Sequence, residues 1–124
     1  MVGIESPEDL DVSPLRGPLM ETVVIEEIRK AYLARGRRPK LFFYRDAAKR
    51  EIDILVERGA SLAWGIEVKA SSTYSPRFFK HLDALGDELG LPRERRVVVY
   101  AGKESFETSH GLLCALQDLP MLGI

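Results

Sequence analysis

Glu51-Ile52-Asp53-Ile54-Leu55-Val56 and, after a short turn, Gly65-Ile66-Glu67-Val68-Lys69-Ala70 are the two stretches that decide the fold of this chain. In both, a polar residue alternates with a branched apolar one, which is the period of a strand with one buried face. Residues two apart on a strand point the same way, so Glu67 and Lys69 share a face. Asp53 can then stand opposite them on the neighbouring strand. The sequence therefore predicts two carboxylates and a lysine side by side on a sheet.

Length and composition fit one globular domain. The chain has 124 residues, of which 45% are hydrophobic and 30% are charged, and this is enough for a single core. Its 18 Lys and Arg against 19 Asp and Glu give a formal net charge of -1. No overall basic field therefore attracts nucleic acid, and any binding of a polyanion must be local. The single cysteine, Cys114, excludes a disulfide framework and a cysteine metal site.

Sequences that direct a chain to a membrane or out of the cell are not found. No apolar run reaches membrane-spanning length. The stretch Met1-Val2-Gly3-Ile4-Glu5 lacks the basic start and the apolar core of a signal peptide. We therefore expect a cytoplasmic protein with no membrane partner.

The pattern of apolar residues predicts a mixed α/β domain over residues 18–124, preceded by a leading segment or linker at residues 1–17. The turn Arg58-Gly59-Ala60 indicates an antiparallel hairpin, and the β-branched run 96–100 indicates a central strand buried on both faces. The expected elements are a helix at 18–34, strands at 40–44, 51–57 and 61–70, a helix at 76–89, and strands at 96–100 and 111–116. This order, α-β-β-β-α-β with one extra strand, predicts a mixed sheet flanked by helices.

The two carboxylates suggest a site for a divalent metal ion that acts on phosphodiesters. Mg²⁺ takes oxygen ligands and needs only one or two protein carboxylates, here Asp53 and Glu67. The main-chain carbonyl of Val68 is a candidate third ligand. Lys69 would orient the attacking water or help to deprotonate it. Glu21 belongs to the inward stripe of the first helix, and would be a further ligand or an acceptor for a bound water.

A structural interpretation competes with the metal site. Glu-x-Lys on an exposed strand is common and forms a surface ladder of ion pairs, and the helix dipole favours an acid such as Glu21 in a first turn without any site. Aspartate, in contrast, is depleted in strand interiors. Asp53 lies between two isoleucines, and this position favours the metal site.

Basic and aromatic residues near the acids are candidates for contact with nucleic acid. Tyr74, Arg77 and Lys80 follow the Glu-x-Lys strand and open the second helix, so we expect them to face the same cleft. Arg45 lies in a basic turn between the first two strands, and more arginines, up to Arg96, precede the central strand. Contacts with phosphate and ordinary solvated turns are both open explanations of these clusters.

Taken together, five motifs resemble the PD-(D/E)XK, or restriction-endonuclease-like, superfamily, whose core has the order αβββαβ. The resemblance is closer to the C-terminal domain of a group of bacterial and archaeal AAA-type ATPases, and it covers nearly the whole chain. The motifs are Gly17-Pro18-Leu19-Met20-Glu21, Tyr44-Arg45-Asp46, Glu51-Ile52-Asp53, Glu67-Val68-Lys69 and Val98-Val99-Tyr100-Ala101-Gly102.

This resemblance implies catalytic and metal-binding roles for Asp53, Glu67 and Lys69, with Mg²⁺ or Mn²⁺ as cofactor, DNA as substrate and Glu21 as the first-helix acid. It also implies an ATPase module in the same protein or in a partner chain, because Gly102-Lys103-Glu104-Ser105 does not make a P-loop. A homodimer that cuts both strands belongs to the same expectation. The alternatives are a catalytically silent module of an ATPase and a purely structural domain.

Overall fold

A computed structural model describes residues 16–124 of the chain. The leading segment or linker expected at residues 1–17 lies outside the described residues, except for its last two. The helices and strands are α1 (Arg16–Ala34), β1 (Lys40–Arg45), β2 (Glu51–Arg58), β3 (Ser61–Lys69), α2 (Lys80–Leu89), β4 (Arg96–Tyr100), β5 (Phe106–Glu107) and β6 (Leu112–Ala115). Short 3-10 helices cover Pro76–Phe79, Arg93–Arg95 and Leu116–Leu122.

The strands form one six-stranded mixed sheet in the order β1-β2-β3-β4-β6-β5. The pairs β1–β2, β2–β3 and β5–β6 are antiparallel, whereas β3–β4 and β4–β6 are parallel. Gly59 adopts a φ of 64° in the turn of the predicted β2–β3 hairpin, a conformation that glycine adopts without strain. Every residue of β4 is buried, as its β-branched run predicts. The expected mixed sheet flanked by helices is confirmed.

Two apolar cores lie on opposite faces of this sheet. The apolar spacing of the first helix predicts an inward stripe of Val24, Ile25, Ile28 and Tyr32. On one face of the sheet, α1 buries Val24, Ile28 and Tyr32, whereas Ile25 is only half-buried against the same core. On the other face, α2 buries Leu82 and Leu85. β4 contributes alternate residues to both cores, because successive side chains of a strand point to opposite faces. The helices therefore cover the sheet from both sides and fix the positions of the strands that carry the candidate site.

The start of the second helix and the edge of the sheet differ from the prediction. The predicted helix from Pro76 begins as a 3-10 helix, with the Ser75 hydroxyl accepting a hydrogen bond from the Arg77 N–H, and regular α-helix starts at Lys80. The strand β5 was not predicted, because two residues are too short to show a period. It pairs with β6 at the edge of the sheet.

Arg96 is a structural residue. The residue is only 4% exposed, and its side chain donates to the Leu91 carbonyl and, at 2.7 Å, to the Asp87 carboxylate. A Cβ on Gly86 would lie 2.4 Å from the Arg96 Nε, so the glycine in α2 makes room for the guanidinium. The contact with phosphate that the sequence left open is therefore not available to Arg96.

Candidate active site

The predicted carboxylates lie where β2 and β3 diverge. The two strands pair from the hairpin turn as far as Ile54 opposite Ile66. Beyond that point β2 pairs with β1 through Ile52 and Glu51, and β3 pairs with β4 along its last residues. At Asp53 and Glu67 the main-chain groups of the two strands therefore do not hydrogen-bond to each other. We call this opening the β2–β3 fork.

Asp53 and Glu67 hold the fork by reciprocal hydrogen bonds. The Asp53 N–H donates to Glu67 Oε1 at 2.9 Å, and the Val68 N–H donates to Asp53 Oδ2 at 2.8 Å. Each carboxylate therefore takes the place of a carbonyl that a regular ladder would supply. As predicted, the two acids of neighbouring strands come together.

A β-bulge sets the direction of Asp53. Phe42 pairs with Leu55 and Tyr44 with Ile52, so Phe43 faces both Asp53 and Ile54. The sequence predicted regular alternation here, and the structure departs from it. Ile52 lies in the core under α2 and Ile54 in the core under α1, because the extra residue reverses the facing of the strand.

Burial raises the pKa of both acids, and the charge of Asp53 adds to the rise for Glu67. Glu67 is 4% exposed, and its burial, followed by the charge of Asp53, raises its pKa from 4.5 to about 8. Burial also raises the pKa of Asp53, whereas the hydrogen bond from Val68 and the charge of Lys69 oppose this rise. Near neutral pH these raised pKa values disfavour two negative charges side by side in the fork.

Lys69 completes the predicted group of three. Its Nζ lies 3.6 Å from Glu67 Oε2, and its side chain is 38% exposed. The amine therefore reaches the buried carboxyl while keeping contact with solvent. The structure shows the Val68 N–H bound to Asp53; ligation by the Val68 carbonyl stays a prediction.

Glu21 approaches the site from α1. Its pKa is raised by burial and by the charges of Asp53 and Glu51. Glu21 and Asp53 line one cavity of about 210 Å³ together with Ile25 and Phe43. Within residues 16–124, however, no group of three or more His, Cys, Asp or Glu side chains is arranged to hold a metal ion. Glu21 therefore interacts electrostatically with Asp53, but the two acids and Glu67 do not form a three-ligand cluster.

The fork offers two carboxylate oxygens to a hard cation. Asp53 Oδ1 and Glu67 Oε2 are the carboxylate oxygens that accept neither of the two fork hydrogen bonds. Mg²⁺ binds through one or two protein carboxylates and keeps several waters. A close pair of acids whose pKa values are raised by burial gains from such a charge. The pair fits Mg²⁺ or Mn²⁺, with Lys69 beside it.

His81 is a neighbour of the site that the sequence did not single out. The Glu51 N–H lies 3.3 Å from His81 Nδ1, and the charge of His81 lowers the pKa of Asp53. The sequence gives it no role, because its spacing matches no metal motif. Its position next to Lys80 at the start of α2 was the one available signal.

The predicted contacts with nucleic acid fall into three environments. Arg77 and Lys80 are exposed at the start of α2, and Arg45 is exposed at the end of β1. Tyr74 is half-buried, and its ring packs edge-on against three aromatic rings, including Phe106 at 5.8 Å. Tyr74 therefore has a packing role. In the basic turn, Arg50 is bound to Asp46 and Glu88, which removes part of its positive charge.

The fold and the site define a mixed α/β domain with a buried carboxylate pair beside a lysine. A family model described as "Domain of unknown function (DUF4143)" matches residues 16–119, and the chain belongs to this family. Domains of this family commonly lie C-terminal to AAA ATPase domains. No curated protein matches the chain. In residues 16–124, no helix is both long enough and apolar enough to cross a membrane.

Proposed function

We propose that this chain is a magnesium-dependent nuclease-like domain that hydrolyses phosphodiester bonds of DNA. The observation that carries the proposal is the meeting of Asp53, Glu67 and Lys69 in the β2–β3 fork. Two acids and a lysine in this arrangement, behind a glutamate-bearing helix, also support the finer assignment to the restriction-endonuclease-like αβββαβ core and the PD-(D/E)XK superfamily.

Asp53 and Glu67 would hold the ion, and the main-chain carbonyl of Val68 would be a third ligand. Glu21 would be a further ligand or would accept a hydrogen bond from a bound water. A bound Mg²⁺ or Mn²⁺ lowers the pKa of a coordinated water and stabilises charge on phosphoryl oxygens. The raised pKa values of both acids support a cationic partner at this place. A free-standing ladder of surface ion pairs would not explain a glutamate that is 4% exposed.

Lys69 would act on the water and on the phosphate. Its Nζ is 3.6 Å from Glu67 Oε2, so an amine held there would orient a water in the fork or help to deprotonate it. In its charged form the same group offsets phosphate charge. The exposed Lys80, Arg77 and Arg45 would contact the DNA backbone.

A catalytically inactive module of an AAA-type ATPase is the second candidate. It is favoured by the hydrogen bonds of the fork. Asp53 and Glu67 already accept hydrogen bonds from main-chain N–H groups, and in such a module they would have a purely structural role. The usual place of the family beside an AAA ATPase domain supports this candidate equally. Such a module would bind nucleic acid or a protein without cutting.

Cleavage of supercoiled plasmid in Mg²⁺ and in Mn²⁺ separates the two. The wild-type chain is expected to nick the plasmid, and an Asp53→Asn, Glu67→Gln double variant to lose about 100-fold or more of the rate. Glu57→Gln, at the other end of β2, is the matched control and keeps full activity. A folded wild-type chain that binds DNA and leaves it intact in both metals would establish the inactive module instead.

A further inference from the structure

β1 is an open edge of the sheet. It pairs with β2 on one side and stands at the end of the strand order, so in the described part of the chain its other side meets no strand. Two adjacent rings on it, Phe42 and Phe43, are 48% and 59% exposed. Phe42 pairs with Leu55, which lies in the core under α2. Successive side chains of a strand point to opposite faces, so Phe43 projects on the α1 side.

The exposure of both rings favours an added strand as the occupant of this edge. Free main-chain groups along an edge, flanked by large apolar side chains, are a template for pairing with another extended segment. A ligand lying on one face of the sheet would cover Phe42 or Phe43 and leave the other in water. A strand beside β1 would cover both, since its own side chains also alternate between the faces.

The charge around β1 indicates the chemistry of that strand. Lys40 and Arg45 form the two ends of β1 and are exposed, and exposed Arg37 and Arg38 precede it. Glu57 and Glu51 stand opposite Lys40 and Arg45 in β2 and balance part of this charge on the inner side. The free edge of the sheet at β1 is therefore basic at both ends and apolar in the middle. An acidic segment with apolar residues between its acids is complementary to this pattern.

A second copy of β1 fits this edge less well. Two copies that meet edge to edge through antiparallel β1 strands keep their faces on the same sides, so Phe42 stands opposite Phe42 or Phe43 opposite Phe43. Lys40 then lies opposite Tyr44, or Arg45 opposite Leu41, and no acid of the second copy meets either basic residue. Self-pairing therefore lacks the complementarity that an acidic strand provides.

We propose that β1 is the docking edge for an extended segment of a partner protein in which acidic residues flank a run of aliphatic ones. Main-chain hydrogen bonds would supply most of the affinity, and the alternating side chains would supply specificity. This binding activity goes beyond the proposed nuclease chemistry, and it needs no metal.

The test is the binding of a fluorescein-labelled peptide, in which Glu residues flank four Val residues, to the full chain in EDTA, followed by fluorescence anisotropy. Saturable binding that weakens with added salt is expected, and a peptide with Lys in place of Glu should not bind.

Phe43→Thr should raise the Kd about fivefold, the value of one lost cross-strand contact. The matched control, Phe106→Thr, removes a ring that is 41% exposed on the opposite edge strand and should leave the Kd unchanged. Unchanged melting temperatures would show that both variants are folded.

Hydrogen exchange locates the peptide independently of any substitution. Amides of residues 40–45 should gain protection on binding, whereas those of residues 106–107 should not. The proposal is overturned by no saturable binding up to about 1 mM peptide, by binding without protection of β1, or by an equal loss in Phe106→Thr. Binding of oligothymidylate that Phe43→Thr abolishes would make nucleic acid the occupant, and self-association that Phe43→Thr abolishes would make it a second copy. Either result would overturn the acidic strand.

Discussion

The main-chain N–H of Asp53 donates to Glu67 Oε1 at 2.9 Å, so one carboxylate of the candidate site holds the strand that carries the other. The reciprocal bond runs from the Val68 N–H to Asp53 Oδ2. These two bonds fix the acids in the β2–β3 fork without an ion. Burying them together raises the pKa of both. The stability of the fork should therefore respond to pH and to divalent cations.

Stability should fall as pH rises through the neutral range. The pKa of Glu67 is 4.5 as its ordinary value and about 8 in the folded chain, so between these values the folded state keeps a proton that the unfolded state has lost. The stabilisation is fully present below the lower value and is lost as pH rises to the higher one, by at most about 5 kcal/mol. The raised pKa of Asp53 acts in the same direction. Urea unfolding in EDTA across this pH range measures the slope.

Glu67→Gln should flatten that slope, because the amide cannot titrate and its oxygen still accepts from the Asp53 N–H. The matched control, Glu57→Gln, should keep the wild-type slope. Equal slopes in wild type and Glu67→Gln would show that Glu67 is not the titrating group.

A divalent cation should stabilise the chain near neutral pH. Binding only to the folded state adds about 2.7 kcal/mol at 100 times the Kd, which raises the Tm by about 10 °C for a domain of this size. Differential scanning fluorimetry with Mn²⁺ and Mg²⁺ measures the shift. The Asp53→Asn, Glu67→Gln variant should show no shift, and a full shift in that variant would place the ion elsewhere.

Lys69→Met should separate chemistry from metal binding. The substitution removes the amine that lies 3.6 Å from Glu67 Oε2 and keeps the length of the side chain. Plasmid cleavage should fall about 100-fold or more, as for the loss of a general acid–base group, while the Mn²⁺-dependent rise in Tm persists. Cleavage at the wild-type rate would contradict the role given to Lys69.

Gly86→Ala should destabilise the domain. A Cβ there would lie 2.4 Å from the Arg96 Nε, and overpacking of this kind costs about 1–3 kcal/mol. Gly17→Ala in α1 is the matched control, since nothing lies within 4 Å of its Cβ and alanine favours helix. Chemical denaturation should show a loss for the first variant and no loss for the second; similar free energies would mean that Arg96 can move aside.

Most of the secondary structure could be predicted from local pattern. Hydrophobic period and turn chemistry are properties of short segments. The sequence therefore predicted the apolar stripe of α1, the hairpin turn at Gly59 and the buried strand β4. The bulge opposite Phe43 could not be predicted, because it depends on how β1 and β2 align. The burial of Arg96 under α2 and the contact of His81 with Glu51 could not be predicted either, because both depend on residues that are distant in the sequence.

By itself, the sequence determined that Glu67 and Lys69 lie on one side of a strand and that Asp53 lies on the strand before it. Only the tertiary structure decided that β2 and β3 part at these residues, that each acid binds the main chain of the other strand, and that the pKa of Glu67 rises to about 8. The physical reason is that periodicity is set by the geometry of neighbouring residues, whereas register, desolvation and the coupling of charges are set by residues that only folding brings together.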